Sequence, residues 1–202
     1  MFGEALAAGA DIYGIDISPN MLSVLKRKLP ENQTSRVTLQ NIIDFRFDSK
    51  FDLIIAPFRV IMHIQDKDDQ LKAINNVYNH LNKGGTFIFD TFIPDLKALI
   101  SGLNNVVDFD GEYEPGKKLK RTVTTYPDKL NQLININFKL EWDEAGIVKT
   151  EEWQFPLRYF FRYELEHLVE RSQFTDYEII GDYNGNPLDE QSKDFIVVCK
   201  KI

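Results

Sequence analysis

The first half of the chain alternates short apolar runs with segments whose apolar residues recur at helical spacing. Asp11–Asp16 is an apolar run that predicts a buried strand. Ser18 and Pro19 follow as an N-cap and a first-turn proline, and the helix they begin carries Leu22, Leu25 and Leu29 before Pro30. This stretch therefore predicts a strand followed directly by a helix.

A second cycle of the same kind follows. Residues 36–40 and 51–56 are expected to be strands, residues 66–81 an amphipathic helix, and residues 86–92 another strand. Gly84 and Gly85 separate that helix from the last strand, as glycines commonly do at a helix end. The alternation predicts an α/β fold, a Rossmann-like doubly wound and mostly parallel sheet.

From Lys117 onward the apolar period changes to two. Residues 119–126, 134–142 and 147–157 are expected to form a three-stranded antiparallel sheet, with a hairpin turn at residues 143–146. Residues 163–172 return to a helical pattern, and residues 177–181 and 194–200 predict a closing antiparallel hairpin. We therefore expect a core of residues 1–112 and 160–202, with residues 113–159 inserted as a β cap.

Composition narrows the class of protein. The 202 residues are 43% hydrophobic and 27% charged, close to the average for globular domains. The net charge of −7 disfavours a protein that mainly grips nucleic acid. Cys199 is the sole cysteine, which excludes an intrachain disulfide or a multi-cysteine zinc site, and no metal site is expected. With no apolar run long enough to span a membrane and no basic leader, a cytoplasmic location without membrane contact is expected.

Candidate chemistry lies where the expected strands end, because ligands of open α/β sheets bind at the carboxyl edge. Asp16 ends the first expected strand, and a carboxylate there can accept hydrogen bonds from both hydroxyls of a ribose. The alternative role for Asp16 is to cap the adjoining loop or helix.

Three segments, in order, resemble the class I S-adenosylmethionine-dependent methyltransferase family. Residues 9–22 resemble its second-strand motif, residues 50–56 its fourth strand, and residues 81–90 the turn and fifth strand after a helix. Together these segments cover most of residues 5–92. The resemblance implies S-adenosylmethionine as cofactor.

The resemblance also implies roles for single residues. Asp16 would bind the ribose hydroxyls, and Ile17 would pack near the adenine. Asn41 and Ile42 stand where the family commonly has an acidic and then an apolar residue for the adenine amine and ring. Asn41 departs from that pattern because it lacks the charge, and it is equally expected as a turn asparagine. The segment Ala56, Pro57 and Phe58 would line the cofactor's methionine moiety and lead to the substrate pocket.

The sequence also departs from the family at its start. In dinucleotide-type folds the acidic ribose ligand follows a glycine-rich turn by about twenty residues, and this numbering leaves no room for such a turn before Asp16. Residues 1–9 resemble the helix that comes after the turn. We therefore expect an amino-terminally truncated version that lacks the first strand and the glycine loop. The alternative is that another segment or another chain fills the place of that strand, and a second copy of the chain there would make the protein a homodimer.

The acceptor side offers a candidate base and a cap rich in aromatic residues. His63 follows the expected strand 51–56 into the pocket and is the candidate catalytic base, while a structural hydrogen bond is its alternative role. The candidate substrate contacts are Asp90, Phe92, Trp153, Arg158 and Tyr159. Most cap aromatics are expected in the cap's own core.

These observations predict methyl transfer from S-adenosylmethionine to an N or O nucleophile of a small-molecule acceptor, with no nucleic-acid partner. A nicotinamide-dependent oxidoreductase is an alternative, since Asp16 would serve a dinucleotide ribose equally well. A non-catalytic binding protein that has lost the cofactor loop is another, supported by the absent glycine segment.

Overall fold

The computed structural model describes residues 2–202, and in that range helices and strands alternate through the first half of the chain. The helices are α1 (Phe2–Ala7), α2 (Pro19–Arg27), α3 (Lys67–His80), α4 (Leu96–Ser101) and α5 (Arg162–Glu170). The strands are β1 (Gly14–Asp16), β2 (Val37–Leu39), β3 (Phe51–Ala56), β4 (Leu81–Phe92), β5 (Val106–Glu114), β6 (Lys117–Asp128), β7 (Leu133–Glu144), β8 (Ile147–Arg158), β9 (Asp176–Ile180) and β10 (Asp194–Lys200). Single 3-10 turns span Glu31–Arg36 and Val60–His63.

The strands form three sheets. The central sheet has the order β3-β4-β10-β9, with β3 parallel to β4 and β10 antiparallel to both of its neighbours. Strands β1 and β2 form a separate parallel pair. The cap sheet is antiparallel, in the order β5-β6-β7-β8. The predicted α/β class, with parallel strands and an antiparallel closing hairpin, is confirmed.

The hydrophobic core lies between the central sheet and the helices that cover it. Phe87, Phe89 and Val197, on β4 and β10, have no accessible surface. On one face of α3, Ala73, Ile74 and Val77 are equally buried. A strand covered on both faces needs apolar residues at nearly every position, which explains why β10 coincides with its predicted apolar run. β3 also coincides with its predicted run, although one of its faces is exposed.

The edges of β1 and β3 that face each other are unpaired. No strand within residues 2–202 joins the β1–β2 pair to the central sheet, and aromatic contacts connect the two near their starts. The Tyr13 ring lies 6.0 Å from that of Phe51 and 5.8 Å from that of Phe47. On β3, Leu53 is 55% and Ile55 41% exposed.

The cap sheet has four strands rather than the three that the sequence predicts. The additional strand is β5, whose acidic residues lie opposite basic ones on β6, as in the pair Glu112–Lys118. Such a strand is stabilised by its neighbour's charge rather than by an apolar face, so its own pattern is weak. The core–cap division at residues 112–113 and 159–160 stays a prediction, with the first cap strand beginning at Val106.

The ends of the helices follow local chemistry. The Ser18 hydroxyl accepts a hydrogen bond from the Met21 N–H at 3.3 Å and caps α2, and Asp66 caps α3 in the same way. α4, which the sequence analysis did not predict, begins with Asp95 as its cap. Among the described helices, none is long and apolar enough to cross a membrane.

Candidate active site

Asp16 lies at the carboxyl end of β1, where β1 passes into α2. One carboxylate oxygen accepts the backbone N–H of Ser18 at 2.8 Å, and the Asp16 carbonyl accepts the N–H of Gln40 at 3.2 Å. In the described residues no partner is found for the other carboxylate oxygen. Asp16 therefore fills its alternative role as a loop-capping group while keeping an acceptor that faces outward beside Ile17, which is 68% exposed.

Asn41 lies next to Asp16 but uses its amide locally. Its side-chain oxygen accepts the N–H of Ile43 at 3.1 Å, which is an Asx turn. Ile42 is half-buried against the core, and its carbonyl accepts a hydrogen bond from Asn76 at 3.3 Å. The turn role of Asn41 is thus occupied, which leaves Ile42 and Ile17 as the apolar surface near Asp16.

The chain leaves β3 through a strained corner. Ala56 is buried, whereas Phe58 and Arg59 both have positive φ, 60° and 66°. Two consecutive non-glycine residues in the left-handed region cost free energy, and such strain clusters at functional sites. The Phe58 ring is 71% exposed at this edge of the sheet, so the corner presents an aromatic side chain outward.

Arg59 holds the corner against two other strands. Its backbone N–H donates to Asp90 at 3.3 Å, and its guanidinium lies 3.4 Å from the other Asp90 oxygen. The same guanidinium donates to Asp194 at 2.7 Å. Asp90 lies near the end of β4 and is only 1% exposed, and Asp194 begins β10. The carboxyl end of β3 is therefore tied to β4 and β10 by charge-assisted hydrogen bonds.

Tyr183 completes this acidic cluster of Arg59, Asp90, Asp194 and Tyr183. Partial desolvation of its phenol and the charge of the Asp90 carboxylate raise the pKa of Tyr183 to about 12, although the residue as a whole is 63% exposed. The phenol is therefore protonated at neutral pH. The cluster's two carboxylates and one guanidinium leave one excess negative charge.

His63 lies one turn beyond the corner, against the cap sheet. Its ring is 5.7 Å from the Phe155 ring on β8 at an interplanar angle of 34°. The residue is exposed on one side, but surrounding protein atoms desolvate the ring and lower the pKa of His63. The imidazole is therefore neutral at physiological pH and able to accept a proton.

The predicted substrate contacts differ in what they do: some hold the fold together, and others are partly or largely exposed. Arg158 donates to the carbonyl of Gln65 at 2.7 Å, and so attaches the end of β8 to the segment after His63. Tyr159 is buried, which raises its pKa, and it belongs to the hydrophobic core. Trp153 is 57% exposed and lies one residue pair further out on β8 than Phe155. Phe92 is half-buried at the end of β4.

The structure therefore brings Ala56, Pro57, Phe58, His63 and Asp90 to one edge, and Asp16, Ile17, Asn41 and Ile42 to the neighbouring β1–β2 edge. Sequence reasoning missed Arg59, Asp194 and Tyr183. The signal was weak, because Arg59 and Asp194 are 135 residues apart and meet only through the β4–β10 register. An open depression of about 520 Å³ beside α2 is lined by Pro19, Leu22, Ser23, Lys26, Arg27 and Leu39.

Residues 1–87 match a family model described as a methyltransferase domain. A malonyl-[acyl-carrier protein] O-methyltransferase of Ilyobacter polytropus is 27% identical over 128 residues, 62% of this chain and 43% of the relative. An uncharacterized methyltransferase of Bacillus cytotoxicus is 34% identical over 96 residues, 47% of this chain and 43% of the relative. The chain thus spans less than half the length of these curated relatives.

Solved structures share the fold at low sequence identity. An S-adenosylmethionine-dependent methyltransferase from Clostridium acetobutylicum has a TM-score of 0.77 and 21% identity, covering 98% of this chain and 78% of that one. A sugar N-methyltransferase from Streptoalloteichus has a TM-score of 0.76 and 18% identity, covering 98% and 76%. The first 87 residues are thus similar to a methyltransferase domain, and the fold is shared with S-adenosylmethionine-dependent methyltransferases of known structure.

Proposed function

We propose that this chain serves the transfer of a methyl group from S-adenosylmethionine to an N or O nucleophile of a small-molecule acceptor. The observation that carries the proposal is Asp16 at the carboxyl end of β1, with one carboxylate oxygen held by the Ser18 N–H and exposed Ile17 beside it. A fixed acceptor next to an apolar surface suits a ribose with its attached base.

The residues present fit the nucleoside part of the cofactor better than its methionine part. Asp16 offers a carboxylate for the ribose hydroxyls, while Ile17 and Ile42 offer apolar contact for the adenine. The sequence carries no G-x-G-x-x-G turn for the methionine end. We therefore assign the Asp16 edge to the nucleoside and assign no residue of the described chain to the methionine carboxylate.

When bound, the cofactor supplies an electrophilic methyl group on a sulfonium sulfur. The protein's task is then to orient the acceptor in line with that methyl and to exclude water. We assign the exposed Phe58 and the ring of Phe155, which contacts His63, to the acceptor side. This arrangement suits an acceptor of small size.

The acidic cluster and His63 together suit an amine acceptor. The excess negative charge of the cluster attracts a protonated amine, but an amine attacks a methyl group only through its free lone pair. Neutral His63 can accept the proton that the nitrogen gives up. Support for this acceptor class comes from similar folds, including a structure described as an amino pentose methyltransferase from Micromonospora echinaspora, with a TM-score of 0.72 and 14% identity.

Calorimetric titration with S-adenosylmethionine, S-adenosylhomocysteine and NADH tests the proposal. We expect the two sulfur-containing nucleosides to bind and NADH not to. Asp16→Ala should weaken their binding by about 1–3 kcal/mol, since charge-assisted hydrogen bonds to the ribose are lost. Asp16→Asn keeps an acceptor for the Ser18 N–H but loses the charge. Its affinity should lie between those of the wild type and Asp16→Ala.

Asp11→Ala is the matched control, because Asp11 precedes the same strand but pairs with Arg36 at the surface. It should leave the affinity unchanged. A wild-type chain that binds none of the three ligands would favour the non-catalytic alternative, and binding of NADH alone would favour the oxidoreductase. Equal affinities of the wild type and Asp16→Ala would remove Asp16 from the site.

A further inference from the structure

The outer half of β8 is an unpaired strand edge with an unusual side-chain pattern. Residues 147–154 are all exposed, including Ile147 at 61%, Val148 at 69% and Trp153 at 57%. β8 is the last strand of the cap sheet, so nothing in the described chain pairs with its outer side. Such an edge is a template for another strand, and most proteins block it.

The protein as a whole exposes more surface than its mass requires. Its accessible surface is 12863 Å², whereas a compact monomer of this mass exposes about 9,800 Å². Nearly all of β5 and residues 147–154 of β8, the two edge strands of the cap sheet, are exposed. The two edges differ in how they are protected, and that difference points to the occupant.

The opposite edge of the cap sheet, on β5, is protected against pairing. Its register with β6 shifts twice, between residues 107 and 109 and between 112 and 114. It also carries Asp108, Asp110, Glu112 and Glu114 in close succession. Irregular, acidic edges of this kind repel a second copy of themselves. The β8 edge has neither a shift in register nor a charge of one sign.

The β7–β8 hairpin determines which β8 groups point outward. Its two-residue turn, Ala145–Gly146, has positive φ at both positions, 55° and 81°, as in a type I′ turn. The flanking pair Glu144–Ile147 is then hydrogen-bonded. The backbone N–H and C=O groups of every second residue from Ile147 to Trp153 therefore hydrogen-bond to β7. The backbone groups of Val148, Thr150 and Glu152 therefore face outward.

We propose that a second copy of this chain pairs antiparallel with β8, on a two-fold axis through Thr150, to make one eight-stranded sheet across the dimer. Thr150 then faces its own copy and Val148 faces Glu152, with about six new backbone hydrogen bonds. On the other face Lys149 lies opposite Glu151, twice by symmetry, and Ile147 lies opposite Trp153. Each interaction is self-complementary, as an isologous interface requires.

Dimer axes at neighbouring positions of β8 give less favourable strand pairs. An axis through residue 149 places Lys149 against its own copy, and an axis through residue 151 does the same for Glu151. An axis between two residues would oppose outward-facing backbone groups to groups already used on β7. Like charges directly opposite destabilise a strand pair, so the sequence of β8 selects the Thr150 register.

Sedimentation equilibrium of the full chain, with charge reversals on β8, tests this interface. We expect a mass of twice the 23.5 kDa of one chain. Lys149→Glu and Glu151→Lys should each raise the dimer dissociation constant about tenfold or more, because each creates two like-charge contacts. The double variant, which exchanges the charges, should return close to the wild-type value.

Thr150→Pro removes the outward N–H on the axis without touching the β7 ladder, and it should also give a monomer. Lys118→Glu, on β6 inside the cap sheet and away from the β8 edge, is the control and should leave the mass unchanged. Urea unfolding of each variant verifies that the fold is intact. A monomeric wild type, a dimer that all β8 variants preserve, or a double variant as weak as the single ones would overturn the proposal. None of these outcomes depends on methyl transfer.

Discussion

The central sheet and the cap sheet are built from opposite sequence patterns. β10 and residues 87–89 of β4 are continuous apolar runs that lie between layers, so that Phe87, Phe89, Val197 and Cys199 have no exposed surface. β7 and β8 alternate, and only their inner ends pack on the core, through residues such as Phe155 and Leu157. The comparison indicates that stability resides in the central sheet, whereas the cap sheet exposes the surfaces that we propose for an acceptor and a second chain.

The largest expected difference between the two sheets is in the response to loss of an aromatic ring. Phe89→Ala in the central sheet should lower the free energy of unfolding by about 3–5 kcal/mol, since it leaves a cavity beside Phe87. Tyr126→Ala on the cap sheet removes a side chain that is 64% exposed and should cost less than about 0.5 kcal/mol. Urea unfolding measures both. Equal losses of unfolding free energy in the two variants would contradict the conclusion that stability resides in the central sheet.

A second test concerns the attachment of the cap to the core. A Cβ on Gly102, after α4, would lie 2.3 Å from the Thr125 carbonyl oxygen on β6, whereas a Cβ on Gly116 would meet nothing within 4 Å. Both glycines have positive φ, 70° and 76°, and Gly102 also has ψ −176°, a combination that is essentially restricted to glycine. Gly102→Ala should therefore destabilise by about 1–3 kcal/mol more than Gly116→Ala in thermal or urea unfolding.

A third test concerns the pH dependence of stability. Burial in the central sheet raises the pKa of the Cys199 thiol from 9.0 to about 12. Between these values the unfolded chain loses a proton that the folded chain keeps, so stability present below pH 9 is lost as the pH rises toward 12, by at most about 1.4 kcal/mol per pH unit. Cys199→Ala should flatten that part of the profile. An unchanged slope would mean that Cys199 does not contribute to it.

Most of the central sheet could be predicted from the sequence because its strands are marked locally. β3 and β10 are apolar runs with polar ends, and the structure places them where they were expected. β5 was missed because its acidic residues are stabilised by the basic side of β6, a contact that local pattern does not reveal. α4 was missed because six residues are too short for a periodic signal.

Site residues that lie at the end of a single strand could be predicted from the sequence. Residues whose position depends on the packing of three strands could not. Asp16 and Asp90 could be identified from their positions alone. Arg59 could not, because its function in the structure depends on the register that places Asp194 opposite Phe92. Its left-handed backbone gave no sequence signal either, since neither Phe58 nor Arg59 is a residue type that favours positive φ.

The two residues at the corner after β3 have different roles: one holds the backbone in place, and the other carries a side chain that the fold does not need. Arg59 fastens the backbone to Asp90 and Asp194, while the Phe58 side chain, 71% exposed, makes no contribution to the core. Residue 58 can therefore change identity at little cost in folding, and glycine or asparagine would even suit its φ of 60°. In evolutionary terms, residue 58 is therefore the position of this corner that can drift while the scaffold stays as it is.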